Sequence, residues 1–451
     1  MKYCLSILGL SLSLVVNIGL AAEDVAPSAC TNAYIQHALT LDEVLNLALC
    51  HNPQTRYQWA AVKAQSALVD SARSPYYPSL TATASGTQNQ TNLGGQATSA
   101  SNNQKVGLTA AYLLYDFGGR AASLESAKQT LLAVNATRDV TLQGVYLGTV
   151  QAYFALLTAQ ANVESLKAAE SLAKGSLDAA SARYKSGAAT PADRLQAQTA
   201  LSQAQLNRIT AEGNALIATG TLANQLGFSP TQKIELTPFN EVQHDLLLDK
   251  KLDDLIADAL HSRPDLLAAE AQINLAQAQI DVNRTSGLPT LNLTAGSTYS
   301  VDSIAADARN DSLGVTLTMP LFTGYRVSNQ VKSAEAQKLA KVADRDRIAK
   351  QVELDVWKAY QTLQTNRQSL QSATALVASA EQSERMTSGR YQAGLGTMID
   401  LLTAQNTLLS ARQQWIAARF NFIVSRFALA QAIGQLDISN SEVLGENFLA
   451  K

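Results

Sequence analysis

The chain has 451 residues, of which 46% are hydrophobic and 16% charged, with 24 glycines and 10 prolines, which excludes collagen-like, proline-rich and highly charged disordered proteins. Aromatic residues make up only 6%, and long alanine-rich stretches favour closely packed helices over a bulky globular core. The 35 basic and 37 acidic residues give a formal charge of −2, so the chain lacks the positive surface that nucleic-acid binding requires.

An apolar stretch at the N-terminus predicts export. It runs from Cys4 to Leu20 behind the basic Lys2 and indicates a signal peptide, residues 1–21, cleaved after Ala21 or alternatively after Ala22. A transmembrane anchor would need a longer apolar stretch. No later uncharged run of about 18 apolar residues is expected, so a mature chain that enters a bilayer would do so as a closed β-barrel.

Two cysteines remain after export, Cys30 and Cys50. In an oxidising compartment a disulfide between them would close a loop of about 20 residues and contribute about 3 kcal/mol. Cys30 as a lipid-attachment site is the alternative, which Glu23 and Asp24 disfavour because they separate it from the apolar stretch. The four histidines lack metal-ligand spacing, so neither metal nor cofactor is expected.

The chain contains an internal repeat. Residues 183–198 recur at residues 390–405 with an offset of 207, preserving Arg, Tyr, Gly, Thr, Asp, Leu, Ala and Gln. Earlier prolines are offset by 211 instead, which places an insertion or deletion in the polar segment Gln88–Lys105. These prolines are Pro53 with Pro264 and Pro78 with Pro289. The mature chain is therefore predicted to be two copies of one unit.

Each copy opens with helices and continues in strands. A short amphipathic helix, Thr40–Cys50 or Lys251–Ser262, ends before a proline, and a longer helix follows it. Period-two alternation of apolar or small residues with Thr, Ser, Gly or Asn then predicts four strands. They cover Leu80–Thr87, residues 106–114, residues 291–296 and residues 313–319.

The strands suit an outer membrane. Ten residues tilted by about 45° cover about 24 Å, with apolar residues facing lipid and small polar ones facing water. Aromatic residues cluster near the strand ends, as the residues of an aromatic girdle at a membrane–water interface do. They are Tyr76, Tyr77, Tyr112, Tyr115, Phe117, Tyr299, Phe322 and Tyr325. An ordinary sheet on a core is the alternative, but no matching apolar layer is visible. Four strands cannot close a barrel, whereas three chains would supply twelve.

The longest predicted elements are two helices without proline. Each would have about 65 residues, a length of about 100 Å, and each turns at a glycine into a shorter returning helix. The long helices run over Gly119–Tyr184 and Tyr325–Tyr391, and the returning ones over Thr190–Leu226 and Thr397–Ile433. Alanine-based heptads predict close helix packing, which a solid coiled-coil rod would also satisfy.

These residues resemble the TolC-like family of outer-membrane channels in bacterial drug efflux and type I secretion. The resemblance covers the mature chain and rests on four features. They are the paired Tyr-x-x-Gly-x-x-Thr-x-x-Asp turns, the Ala-Gln that follows each turn, Leu-Tyr-Asp-Phe-Gly-Gly-Arg at 114–120 and Pro-Leu-Phe-Thr-Gly-Tyr-Arg at 320–326. It implies a mixed, mainly α fold: a homotrimer with a twelve-stranded outer-membrane β-barrel, four strands per chain, continuous with a long periplasmic α-helical barrel.

The predicted organisation follows the repeat. The segments are 1–21 signal peptide, 22–78 first helices, 79–118 first β-hairpin, 119–227 first long helical hairpin, 228–250 equatorial linker, 251–289 helices of the second repeat, 290–324 second β-hairpin, 325–434 second long helical hairpin and 435–451 C-terminal tail. The equatorial belt is implied by the resemblance.

The resemblance also implies a periplasmic gate. Asp193, Tyr391 and Asp400 match positions that hold the tunnel tip closed or ring its entrance. Gly396 stands in place of a linking arginine, and Thr403 in place of a second ring aspartate, so the gating links would differ and the cation filter would be weaker.

A structural role is the alternative. Each aspartate follows a threonine by three residues, which is also a helix capping box. The tip turns are predicted at Gly187, Thr190, Gly394, Gly396 and Thr397.

The leading function is a passive outer-membrane conduit. It would receive substrate from an inner-membrane ABC or RND transporter and a periplasmic adaptor, and no catalytic motif is present. A periplasmic adaptor would need a lipoyl-like β-module, and a surface filament would not explain the strands. The cargo, whether drug, ion or unfolded protein, stays open, with a slight preference for protein secretion.

Overall fold

In a computed structural model, residues 37–91, 99–237, 251–303 and 306–436 are described. The helices are α1 (Leu41–His51), α2 (Pro53–Arg73), α3 (Gly119–Lys185), α4 (Pro191–Gln225), α5 (Leu252–Ser262), α6 (Pro264–Thr285), α7 (Arg326–Gln392) and α8 (Met398–Ala432). The strands are β1 (Ser79–Thr91), β2 (Ser99–Tyr115), β3 (Thr290–Asp302) and β4 (Ala308–Thr318). The signal peptide, Cys30, residues 238–250 of the linker and most of the tail lie outside the described residues.

The internal repeat sets the helix lengths. Helices α3 and α7 each have 67 residues, and α4 and α8 each have 35. Each of their first and last residues differs by the predicted offset of 207. Each long helix packs antiparallel to its returning helix, so the chain contains two long hairpins, called hairpin 1 (α3 and α4) and hairpin 2 (α7 and α8).

The shorter helices begin and end where local chemistry requires it. Thr40 and Glu43 form a reciprocal capping box at the start of α1, which satisfies otherwise unpaired amides. Asn52 ends α1 in an extended conformation and caps α2, whose first residue is Pro53. Proline is favoured at that position because its missing N–H would have no helical partner.

The four strands form one antiparallel sheet in the order β1-β2-β3-β4. Their register segregates the faces, because directly opposite residues share a face. One face carries Leu80, Ala82, Ala84, Val106, Leu108, Ala110, Tyr112, Leu291, Leu293, Ala295, Leu313, Val315 and Leu317. The other carries Thr81, Thr83, Ser85, Gly107, Thr109, Asn292, Thr294, Gly296, Thr298, Ser312, Gly314 and Thr316. The predicted alternation is confirmed, and β1 and β4 are the two edges.

The prediction was wrong at the end of β2. It placed Leu114 on the apolar face, but the register shifts between Leu113 and Tyr115, so that Tyr115 lies opposite Leu291. A β-bulge inserts one residue and reverses the alternation beyond it. The strands β1 and β2 also extend further into the polar segment than the apolar pattern indicates, because Thr, Asn and Gln continue the pairing there.

The apolar core lies where the short helices meet the hairpins. Its largest cluster joins α1 to α3, α4 and α8 around Tyr153, Phe154 and Leu226, and a second joins α5 to α7 and α8 around Leu255 and Leu363. Towards the hairpin ends the buried residues are mainly alanines. Small side chains let helix axes approach closely, as the composition predicts.

Among the described residues, one helix is long and apolar enough by length and composition to cross a membrane. An 18-residue window of α3 meets this test, and 39% of it is buried. This differs from the expectation that no such run follows the N-terminus. The uncharged middle of α3 contributes Val150, Tyr153, Phe154 and Leu156 to the largest core cluster.

Contacts of Leu39 join the segment just before α1 to the segment after α4. Leu39 forms a parallel β-bridge with Leu236, and the amide of Thr237 donates to the Leu39 carbonyl at 3.0 Å. Cys50 is disulfide-bonded. Because its partner lies outside the described residues, the pairing with Cys30 stays a prediction.

Candidate functional site at the hairpin tips

Both hairpins end in the same turn, called tip 1 (residues 183–194) and tip 2 (residues 390–400). Gly187 and Gly394 have φ angles of 78° and 79°, in the left-handed region that favours glycine. Ala188 donates its amide to the Arg183 carbonyl, and Leu395 donates equivalently to Arg390, both at 2.8 Å. The predicted tip glycines are therefore turn residues that close each helix C-terminus.

The aspartates of both tips cap the returning helices. Asp193 accepts from the amide and hydroxyl of Thr190, each at 3.0 Å. Asp400 accepts from the hydroxyl of Thr397 at 2.7 Å and from its amide at 3.3 Å. Both threonines accept in return from the aspartate amides, so both capping boxes predicted as the structural alternative are present.

Asp400 is ionised at neutral pH. Hydrogen bonds from the Thr397 side chain and amide, with a smaller contribution from Arg390, hold the pKa of this exposed carboxyl below its ordinary value. A depressed pKa means that the cap contributes stability above the ordinary aspartate pKa and loses it as the pH falls through the lowered value. The charge at tip 2 is therefore constant across the physiological range.

The two tip tyrosines differ in their surroundings. Tyr391 is 3% exposed, whereas its repeat equivalent Tyr184 is 40% exposed. Tyr391 packs in a cluster that joins the two hairpins, with Ala180 and Ala197 from hairpin 1 and Met398 and Leu401 from hairpin 2. Burial raises the pKa of Tyr391, and its hydroxyl has no hydrogen-bond partner.

Arg183 links the two hairpins. It lies on α3, and its Nη1 donates to the backbone carbonyl of Tyr391, at the end of α7. The guanidinium also lies over the Tyr391 ring, 4.8 Å from its centroid. A charged hydrogen bond and a cation–π contact thus act on one residue. Arg183 is not among the gate residues predicted from the sequence, although its recurrence as Arg390 in the repeat was visible.

Gly396 packs closely against the end of α7. A Cβ on Gly396 would lie 3.3 Å from the Tyr391 amide nitrogen, which is tighter than about nine in ten real Cβ contacts. The equivalent position of tip 1 is Ala189. The three predicted gate residues, Asp193, Tyr391 and Asp400, all lie at the tips. Asp193 and Asp400 bond within their own turns, and Tyr391 contacts the other hairpin. Their role as a gate stays a prediction.

Among the described residues, no three His, Cys, Asp or Glu side chains come together in a metal-binding arrangement. The tip site is built from two turns, a buried tyrosine and the arginine that links the hairpins.

Comparisons with known proteins agree with this architecture. The family described as "Outer membrane efflux protein" matches residues 44–228 and 255–435. Protein CyaE of Bordetella pertussis is 32% identical, covering 88% of this chain and 84% of the relative. The outer membrane protein TolC of Vibrio cholerae is 26% identical, covering 91% and 93%. The Campylobacter jejuni CmeC outer membrane channel has the same fold, with a TM-score of 0.79 at 21% identity and 90% coverage of both chains.

Proposed function

Because the chain belongs to the outer membrane efflux protein family, we propose that it is the exit conduit of a tripartite efflux or type I secretion system and works as a homotrimer. Channels of this family act in the outer membrane with periplasmic adaptors and inner-membrane transporters. The family match fits a channel and not the adaptor considered as an alternative. Transport energy would come from the transporter, and this chain would supply a passive path.

The sheet supports assembly from several copies. Within the chain, β2 of the first repeat pairs with β3 of the second. The repeat-equivalent pairing joins β4 of one chain to β1 of the next. Both edge strands are long, and unpaired edges are ready to accept another strand. Three chains would close a twelve-stranded barrel with the apolar face towards lipid.

Residues on the helices support the same arrangement. Within the chain, α8 buries Ile416 and Ile423, which are 6% and 2% exposed, and Ile423 packs in the cluster that includes α3. Their repeat equivalents on α4 are Ile209 and Leu216, which are 58% and 75% exposed. If neighbouring chains repeat the packing of α8 on α3, then α4 is buried against α7 of the next chain.

We expect the assembly to be visible directly. Full-length protein extracted from outer membranes in mild detergent should give hollow, threefold-symmetric particles with one long extension in negative-stain electron microscopy. The helical extension should measure about 100 Å, since 67 residues rise about 1.5 Å each. Compact monomers or solid rods would contradict the proposed conduit.

The tip residues would act as the periplasmic gate. Tyr391 would hold the two hairpins together through Arg183, and Asp193 and Asp400 would shape the entrance while capping their helices. In a trimer, three copies of Asp400 would approach one axis. A fixed carboxylate ring attracts cations and repels anions.

We therefore expect Asp400→Asn to lower the cation preference of the channel. In planar bilayers under a KCl gradient, the potassium-to-chloride permeability ratio should fall about twofold, because three negative charges leave the entrance. Asp70→Asn on α2 removes the same charge far from the tips and should leave the ratio unchanged. An unchanged ratio in Asp400→Asn would limit this residue to helix capping.

A further inference from the structure

The segment that leads from β4 into α7 carries an exposed apolar surface. It contains the Pro-Leu-Phe-Thr-Gly-Tyr-Arg motif at 320–326, and its large apolar and aromatic side chains are 58–87% exposed. They are Met319, Leu321, Phe322 and Tyr325, and we call them the junction patch. The two aromatic rings pack edge to face, with centroids 5.7 Å apart. The patch follows directly on the apolar face of β4, whose last member is Leu317.

An arginine lies at the end of the junction patch. Arg326 follows Tyr325 and is the first residue of α7. Its side chain is exposed, and its Nη1 donates to Oε1 of Gln330 at 3.3 Å. A guanidinium has five N–H donors, and within the described residues this neutral amide is the polar partner of Arg326. The chain thus places a positive charge without a counter-ion beside exposed apolar side chains.

The corresponding junction of the first copy supplies its own anion. Arg120 is partly buried, its Nε lies 3.5 Å from a carboxylate oxygen of Asp116, and its guanidinium lies over the Tyr76 ring, 4.8 Å from the centroid. The offset of 207 places Thr323 at the position of Asp116. The second junction therefore has a cation, Arg326, but no carboxylate in the equivalent place.

The strand that pairs with β4 in an assembly would leave the junction patch accessible. Within the chain, β2 already has β3 beside it. Tyr115, at the end of β2, is the equivalent of Phe322 at the offset of 207 and is 54% exposed with β3 in place. A strand of the next chain beside β4 would likewise cover the backbone edge and leave outward side chains free.

We propose that the junction patch and Arg326 bind a phospholipid of the periplasmic leaflet, one per chain, with its phosphate on the guanidinium. This inference rests on the proposed outer-membrane channel, whose apolar sheet face contacts lipid and whose long helices leave the sheet on the periplasmic side. From β4 to α7 the side chains are first aliphatic, then aromatic, then basic. A lipid presents acyl chains, interface and phosphate in the same order, and arginine binds phosphate through paired donors.

Native mass spectrometry of the full-length protein in detergent tests this site. Dioleoylphosphatidylglycerol is titrated into the protein, and bound lipids are counted on the intact assembly. We expect one lipid per chain to bind more tightly than any further lipid. In Arg326→Gln this affinity should fall about tenfold, because a hydrogen bond between charged groups is lost. Arg326 is exposed, so its replacement leaves the packed core unchanged.

The matched control removes the same charge from the other end of the same strand. Arg309 lies in β4, and its Nε is 3.0 Å from a carboxylate oxygen of Asp311. Arg309→Gln should leave the affinity for the phospholipid unchanged. Dioleoylglycerol provides the same acyl chains without a phosphate. It should bind more weakly than the phospholipid and equally to the unmodified protein and Arg326→Gln.

The outcomes separate the lipid site from the proposed function. Tight binding that is lost in Arg326→Gln and kept in Arg309→Gln supports the site. Equal phospholipid affinity in the unmodified protein and Arg326→Gln, or equal losses in both variants, would overturn it, and trimers in the same spectra would leave the channel proposal standing. Equally tight binding of dioleoylglycerol would overturn the phosphate contact. Monomers alone in every spectrum would contradict the homotrimer itself.

Discussion

Replacing Arg183 with alanine should make the channel open spontaneously. The substitution removes the hydrogen bond to the Tyr391 carbonyl and the cation–π contact with its ring. Together these are worth about 2 kcal/mol for a partly exposed arginine, so the closed state should lose about 30-fold in population relative to the open state. Single-channel recordings in planar bilayers should show a higher open probability and larger conductance than the unmodified protein.

Arg194→Ala is the matched control for this experiment. Arg194 also places its guanidinium over a tyrosine, 5.4 Å from the ring centroid of Tyr184, but both residues belong to hairpin 1. Loss of this contact leaves the hairpins linked, so conductance should remain that of the unmodified channel. Equal conductance changes in the two variants would show that the link between hairpins does not hold the entrance closed.

Replacing Gly227 with alanine should destabilise the protein more than the same substitution at any other positive-φ glycine of the described residues. Gly227 follows α4 with a φ of 81°, and a Cβ there would overlap the carbonyl oxygen of His51 at the end of α1. Left-handed backbone costs about 1–2 kcal/mol with a side chain, and displacement of the packed helix end adds about 2 kcal/mol more. We expect little folded protein in the outer membrane and a lower heat-dissociation temperature for what remains.

Gly187→Ala separates the two costs. Gly187 has a similar φ of 78°, but nothing lies within 4 Å of the position that a Cβ would occupy there. Only the backbone penalty of about 1–2 kcal/mol applies, so the dissociation temperature should fall much less than in Gly227→Ala. If the two variants lose equal stability, close approach between α1 and the end of α4 is not what requires glycine at position 227.

Most of the helices and strands could be predicted from the sequence because their signals are local. The prolines after α1 and α5 and the threonine–aspartate pairs each determine a boundary from neighbouring residues, and the 207-residue offset transfers such boundaries from one copy to the other. The bulge at Leu114 was missed because it depends on how β2 pairs with β3. The alternation within β2 alone carries no information about that pairing.

The candidate site was only partly predictable for a related reason. Asp193 and Asp400 were found because a capping box lies within four residues of sequence. The contact between Arg183 and Tyr391 spans 208 residues and depends on how the hairpins pack, which no local pattern records. The different burial of Tyr184 and Tyr391 was likewise invisible, because the repeat makes them equivalent in sequence.

The composition of the polar face of the sheet bears on how solutes would pass through the barrel. On that face, the charged residues of the four strands are Lys105 and Asp302, and the remaining positions are mostly threonine, serine, glycine and asparagine. If this face lines the barrel, a solute meets mainly short uncharged groups that bind it weakly and briefly. Dwell times would then be short for drugs and peptides alike, and the choice of cargo would be made before the barrel is reached.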